Sequence, residues 1–117
     1  MDFGSHIRDL RIKKRFSLRD FAEMVGIDFT YLSKIENGKV DPPSEEKIKA
    51  MANKLDIDPE ELLGLAGKVS SDQIRRAVQS NPEVGILLRK LQSRQLSNKQ
   101  VNDMLNIASD KDKPRNK

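Results

Sequence analysis

The chain has 117 residues, no cysteine and one histidine, which excludes a disulfide framework and thiolate zinc sites and leaves little for histidine-based metal or triad chemistry. With 36% hydrophobic and 34% charged residues and no tryptophan, it fits a small helical protein with a thin core that leaves part of its stability to a partner subunit. The formal charge of +4 is unevenly held: residues 1–67 carry 11 Lys/Arg against 13 Asp/Glu, and residues 68–117 carry 11 against 5, so net basicity alone is weak evidence for a nucleic-acid partner.

Ile7, Leu10 and Ile12 predict a first helix that stops near Phe16. The string Gly4-Ser5-His6 is read as native sequence, and His6 as an ordinary surface residue. Ser17, with Asp20 three residues on, is a capping-box start for a second helix, whose apolar stripe is Phe21, Ala22 and Val25 and whose left-handed stop is Gly26. Asp28 caps a third helix with Leu32 and Ile35 facing inward, closed by Asn37-Gly38. Asp41-Pro42-Pro43 is a stiff extended spacer, because each proline fixes its own φ and biases the residue before it away from helix.

Ser44, followed by Glu45 and Glu46, opens a fourth helix with Ile48, Met51, Ala52 and Leu55 on one side. Asp58-Pro59-Glu60-Glu61 opens a fifth, combining a cap, a proline at the first helical position and acids in the first turn; Leu62, Leu63 and Leu65 complete it before Gly67. Three further helices follow. Ser70 or Ser71 starts one through Ile74, Ala77 and Val78, Asn81-Pro82-Glu83 starts the next through Val84, Leu87, Leu88 and Leu91, and Ser97 with Gln100 caps the last, which carries Val101, Met104, Leu105, Ile107 and Ala108. No stretch alternates as a strand does, so the predicted class is all-α. The expected organisation is a five-helix domain at 1–67, a helical dimerisation region at 68–109, and a disordered polar tail at 110–117.

Two short helices joined by a tight turn at residues 17–38 can hold the second helix across the first, ready for a major groove. Phe21-Ala22, Val25-Gly26-Ile27 and the run Tyr31-Leu32-Ser33-Lys34-Ile35-Glu36-Asn37-Gly38 resemble the Cro/repressor type, the XRE family of helix-turn-helix regulators, over about residues 3–66. That resemblance implies sequence-specific binding of double-stranded DNA. It puts Phe29, Thr30, Ser33 and Lys34 on the face that contacts base edges and neighbouring phosphates. Ser17, Arg19 and the amides of the second helix, with Asn37 and Lys39, fall where relatives grip the backbone. Tyr31 either packs on the second helix or reaches a phosphate, and Lys13-Lys14-Arg15 is chiefly a solvated helix end. Arg11 and Glu36 match a pair that ties the first helix to the end of the third through a buried ion pair. Leu18 departs from the pattern, standing where many relatives place a phosphate-binding glutamine. Phe29 cannot hydrogen-bond a base but can press on a thymine methyl.

The helices after residue 68 carry more apolar surface than they can hide alone. Val84, Leu87, Leu88, Leu91, Val101, Met104 and Leu105 therefore predict a homodimer seam, which would set two reading helices on a palindromic operator. The alternative is an antitoxin or a peptidase-controlled regulator whose last helices bind a partner protein, a toxin or a metallopeptidase; residues 80–91 loosely resemble the tails of small regulators found beside such peptidases. No glycine-rich phosphate loop or Ser-x-x-Lys dyad points to an enzyme, and no catalytic residue, metal or cofactor is expected. No apolar run of about 18 residues predicts a membrane span. A DNA-binding regulator of this kind is expected in the cytoplasm.

Overall fold

The computed structural model describes residues 2–109; the segment 110–117, expected to be disordered, lies outside the described residues. Eight helices form in chain order among the described residues: α1 (Phe3–Lys13), α2 (Leu18–Val25), α3 (Phe29–Glu36), α4 (Glu45–Leu55), α5 (Pro59–Leu65), α6 (Ser71–Ser80), α7 (Glu83–Ser93) and α8 (Asn98–Ser109). No described residue lies in a strand. The chain divides into two compact units, with the boundary after Ser70.

In the first unit every helix start is held by a short polar side chain, which satisfies amides that have no partner inside the helix. Ser17 Oγ accepts from the Asp20 amide (2.9 Å), Asp28 from the Thr30 amide (2.9 Å), Ser44 from the Lys47 amide (3.3 Å) and Asp58 from the Glu60 amide (3.0 Å). The start of α1 departs from expectation: Asp2 accepts from the Ser5 amide at 2.8 Å, so the helix begins at Phe3 rather than at Ile7. That amide, donating to it, holds the Asp2 carboxyl below the usual carboxylate range. The helix also ends earlier than Phe16, because Arg15 turns left-handed at φ 64°.

The early start of α1 adds Phe3 to the core. Phe3, Ile7, Phe21, Ala22, Val25, Leu32, Ile35, Ile48, Met51, Ala52, Leu55, Leu62 and Leu63 form one buried cluster. Ile12, one of the residues that marked the first helix, is exposed. Within the cluster α3 packs against α1 and α2, and α4 against α2 and α5. Gly4 makes the α1 contact possible, since a Cβ there would fall 2.2 Å from the Ile35 carbonyl oxygen and 2.9 Å from that of Glu36.

The second unit is built differently. Asn81 accepts from the Glu83 amide at 3.3 Å to open α7. Ser97 and Gln100 cap α8 reciprocally, with Gln100 N donating to Ser97 Oγ (3.1 Å) and Ser97 N to the Gln100 side chain (2.9 Å). α6 packs on α7, where Val78 lies against Gly85. Yet no described residue from 71 to 108 is buried.

Candidate nucleic-acid interface

The geometry of residues 17–39 begins with the turn between α2 and α3. Gly26 takes φ 83°, a region open to glycine at little cost, and its amide and that of Ile27 return to the Ala22 carbonyl at 2.9 and 3.0 Å. Lys47, from α4, donates to the Gly26 carbonyl at 3.2 Å and more weakly to that of Val25 at 3.5 Å. A cation at this helix end complements the partial negative charge of the free carbonyls. It escaped the sequence reading because nothing local links Lys47 to a turn so far upstream.

α3 is anchored by Leu32 and Ile35, both buried, while Phe29, Thr30, Tyr31 and Lys34 of the same helix are exposed. Ser33 is half-buried. Its carbonyl and hydroxyl take donors from Asn37 Nδ2 at 2.9 and 3.4 Å, so the Asn37 amide group folds back along α3. Ser17 is exposed with its oxygen accepting the cap bond, which leaves its O–H free to donate outward. Lys39 is exposed just past the helix, where its amide bonds the Lys34 carbonyl (2.9 Å). Arg19 is exposed on the first turn of α2, and its guanidinium lies over the Phe29 ring, 4.3 Å from the centroid.

Below this surface Arg11 grips Glu36 through two nitrogens, Nε to Oε2 at 2.7 Å and Nη2 to Oε1 at 3.0 Å, and spends a third, Nη1, on the Phe16 carbonyl at 2.9 Å. The side chains are 12% and 4% exposed. The pair ties α1 to the end of α3 and to the strand of chain entering α2, so it braces both helices of the motif. Leu18, at the position where a phosphate-binding glutamine is common, is half-buried and packs against the core cluster. Of the basic run after α1, Lys14 pairs with Asp56 at the end of α4.

In the second unit Ile86, Leu87 and Leu91 of α7 and Val101, Met104, Leu105 and Ile107 of α8 are exposed, Leu105 at 57% and Ile107 at 72%. Val84 and Leu88 are half-buried. Leu87, Leu91, Leu96 and Met104 line one open concavity, rimmed by Lys90 and Arg94. Among the described residues no group of His, Asp and Glu is placed to hold a metal, and no helix is long and apolar enough to cross a membrane.

Residues 7–62 match the family model of the helix-turn-helix. RghRB, an uncharacterized HTH-type transcriptional regulator of Bacillus subtilis (strain 168), is 35% identical over 77 residues, covering 64% of this chain and 55% of that protein. RghR, an HTH-type transcriptional repressor of the same organism, is 33% identical over 75 residues, covering 64% of this chain and 56% of its own length. The chain thus spans about half the length of the curated relatives it matches. Among solved structures, a SinR–SinI protein complex aligns with a TM-score of 0.50 at 26% identity, covering 92% of this chain and 94% of the matched one. RghRB and RghR are thus both described as HTH-type regulators of transcription.

Proposed function

We propose that the chain, whose residues 7–62 match the helix-turn-helix family model, is an XRE-type DNA-binding transcriptional regulator acting as a dimeric repressor on a palindromic operator. The observation that carries the reading is the division of α3 into a buried side, Leu32 and Ile35, and an exposed side bearing Phe29, Thr30 and Lys34. A major groove about 12 Å wide admits one such helix. Thr30, Ser33 and Lys34 meet base edges, Phe29 supplies an apolar contact, and Ser17, Arg19, Asn37 and Lys39 hold phosphates, with Tyr31 beside them. Residues 8–39 carry 8 basic against 5 acidic groups and residues 40–67 carry 3 against 7, a polarity that favours docking by the α2–α3 side.

The exposed apolar residues of α7 and α8 support a two-fold dimer seam, which would set the two α3 helices about 34 Å apart, one turn of duplex. Repression is supported by the description of RghR as a repressor. A chromosomal operator puts the place of action in the cytoplasm. The SinR–SinI complex favours a second reading, in which α7 and α8 take a protein partner; a toxin or a metallopeptidase encoded beside this chain would be of that kind.

Selection of bound duplexes from a random double-stranded pool, followed by footprinting, tests the proposal. An enriched palindrome with half-sites about one helical turn apart is expected. A single unrepeated half-site would remove the dimer, and a pool that never enriches would remove DNA reading itself.

A further inference from the structure

Arg19 and Phe29 are the two members of the exposed α2–α3 surface that touch each other through side chains across the turn. The guanidinium lies over the aromatic ring at 4.3 Å, and the ring remains 38% exposed. A phenylalanine at the first position of α3 exposes an apolar surface where the rest of the helix offers hydroxyls and an ammonium. One side of that surface is covered by a cation, which the ring's negative face attracts. The uncovered part is apolar surface that an apolar group can cover.

The major groove offers one apolar group on the base edges, the C5-methyl of a pyrimidine. A guanidinium stacked on a ring keeps its N–H edge in its own plane, free to donate to an anionic oxygen. We propose that Arg19 and Phe29 form one specificity element that reads the C5-methyl group of a pyrimidine: Phe29 covers the methyl, and Arg19 fixes the ring while holding the neighbouring phosphate. The inference rests on the DNA-binding reading above and adds to it the base feature read at one position. In this arrangement Arg19 is a positioning residue as well as a phosphate ligand.

The test uses the full chain and the duplex it selects from a random pool. Each thymine of a half-site is replaced in turn by uracil, which removes the methyl and leaves the pairing edge unchanged. One replacement should weaken binding about 4-fold, the worth of burying one methyl-sized group, and the others should have little effect. In Phe29→Ala the thymine-to-uracil ratio at that position should fall to one. Phe29→Leu, which retains apolar bulk but no ring face, should give an intermediate ratio and guards against a folding defect, with overlaid melting curves as the control.

Arg19→Lys keeps the charge and loses the planar stack, so it should lower the ratio while leaving the salt dependence of binding unchanged; an unaltered ratio would overturn the role given to Arg19. At the same position, 5-methylcytosine opposite guanine should bind about 4-fold better than cytosine if the methyl is read on either base. No gain there, with thymine still preferred over uracil, restricts the element to thymine. An enriched duplex whose affinity ignores every methyl, or a ratio that survives Phe29→Ala, overturns this inference alone. Failure to enrich any duplex overturns the DNA reading beneath it.

Discussion

Arg11 spends three of its donors on two acceptors from different parts of the chain, the Glu36 carboxylate and the Phe16 carbonyl, and that sets the cost of losing it. With the pair this well covered, Arg11→Ala leaves the Glu36 carboxylate without its counter-charge, and Glu36→Ala leaves a guanidinium in the same position. Each single substitution is expected to cost ~3 to 5 kcal/mol, while a matched apolar pair at both positions should cost less, because no charge is then stranded. Urea melts of the two singles and the double check the ordering, and single variants that melt with the parent would exclude a structural ion pair. Lys34 is exposed on α3 and Lys39 is exposed just past its end, so replacing either should leave the fold intact. Lys34→Ala should weaken operator binding by ~1 to 3 kcal/mol and relax preference at one base pair. Lys39→Ala should weaken all duplexes alike and reduce the salt slope by about one. Competition binding on the selected duplex and its single-base variants separates the two patterns.

At the scale of elements, the α2–α3 turn has a copy inside its own domain. Val25-Gly26-Ile27-Asp28 and Leu55-Asp56-Ile57-Asp58 each contain a left-handed residue, Gly26 at φ 83° and Asp56 at φ 58°, followed by a half-buried isoleucine and an aspartate cap. The Ile27 and Ile57 amides return to Ala22 and Ala52 at 3.0 Å alike. The turn between α4 and α5 thus repeats the turn between α2 and α3, but α5 opens with Pro59-Glu60-Glu61 where α3 opens with Phe29-Thr30-Tyr31. Two carboxylates on the leading turn repel phosphate, so only the first copy is fit to meet DNA.

The caps, the turn glycine and the inward residues of α2 to α5 were legible because each is a local rule with a short span. What stayed hidden was non-local. Nothing near Gly4 in the sequence reports that the end of α3 lies against it, and Asp2 reads as a cap only once Phe3 is known to be buried. Gly4 gives a sharp test, since alanine is the better helix former by about 1 kcal/mol and an isolated helix would gain from it. Here the added Cβ meets backbone oxygen at 2.2 Å, which cannot swing aside. Gly4→Ala is therefore expected to destabilise by ~1 to 3 kcal/mol, and a rise in melting temperature would show that α1 does not approach α3 this closely.

For the whole molecule, the contrast between the two units points to what each requires. The first has a continuous buried cluster from Phe3 to Leu63, whereas the second has no buried residue between 71 and 108 and exposes large apolar side chains on both α7 and α8. A core of the first kind can sustain a fold alone, but the second gains little from its own packing and much from a second surface laid over it. Truncation after Ser70 is therefore expected to leave a folded monomer with the parent's helical signature for α1 to α5 and weak binding to one half-site. The full chain should dimerise. Joining two half-site readers makes the second contact intramolecular, so operator affinity should exceed that of the truncated form by ~10²- to 10⁴-fold with no added base contact. Leu88→Asp or Leu105→Asp should reproduce the truncation in the full chain, because a carboxylate in the seam must be desolvated without a partner. Sedimentation equilibrium beside operator titrations checks both statements together. A full chain that remains monomeric at tens of micromolar and still binds the palindrome with undiminished affinity would remove the dimer.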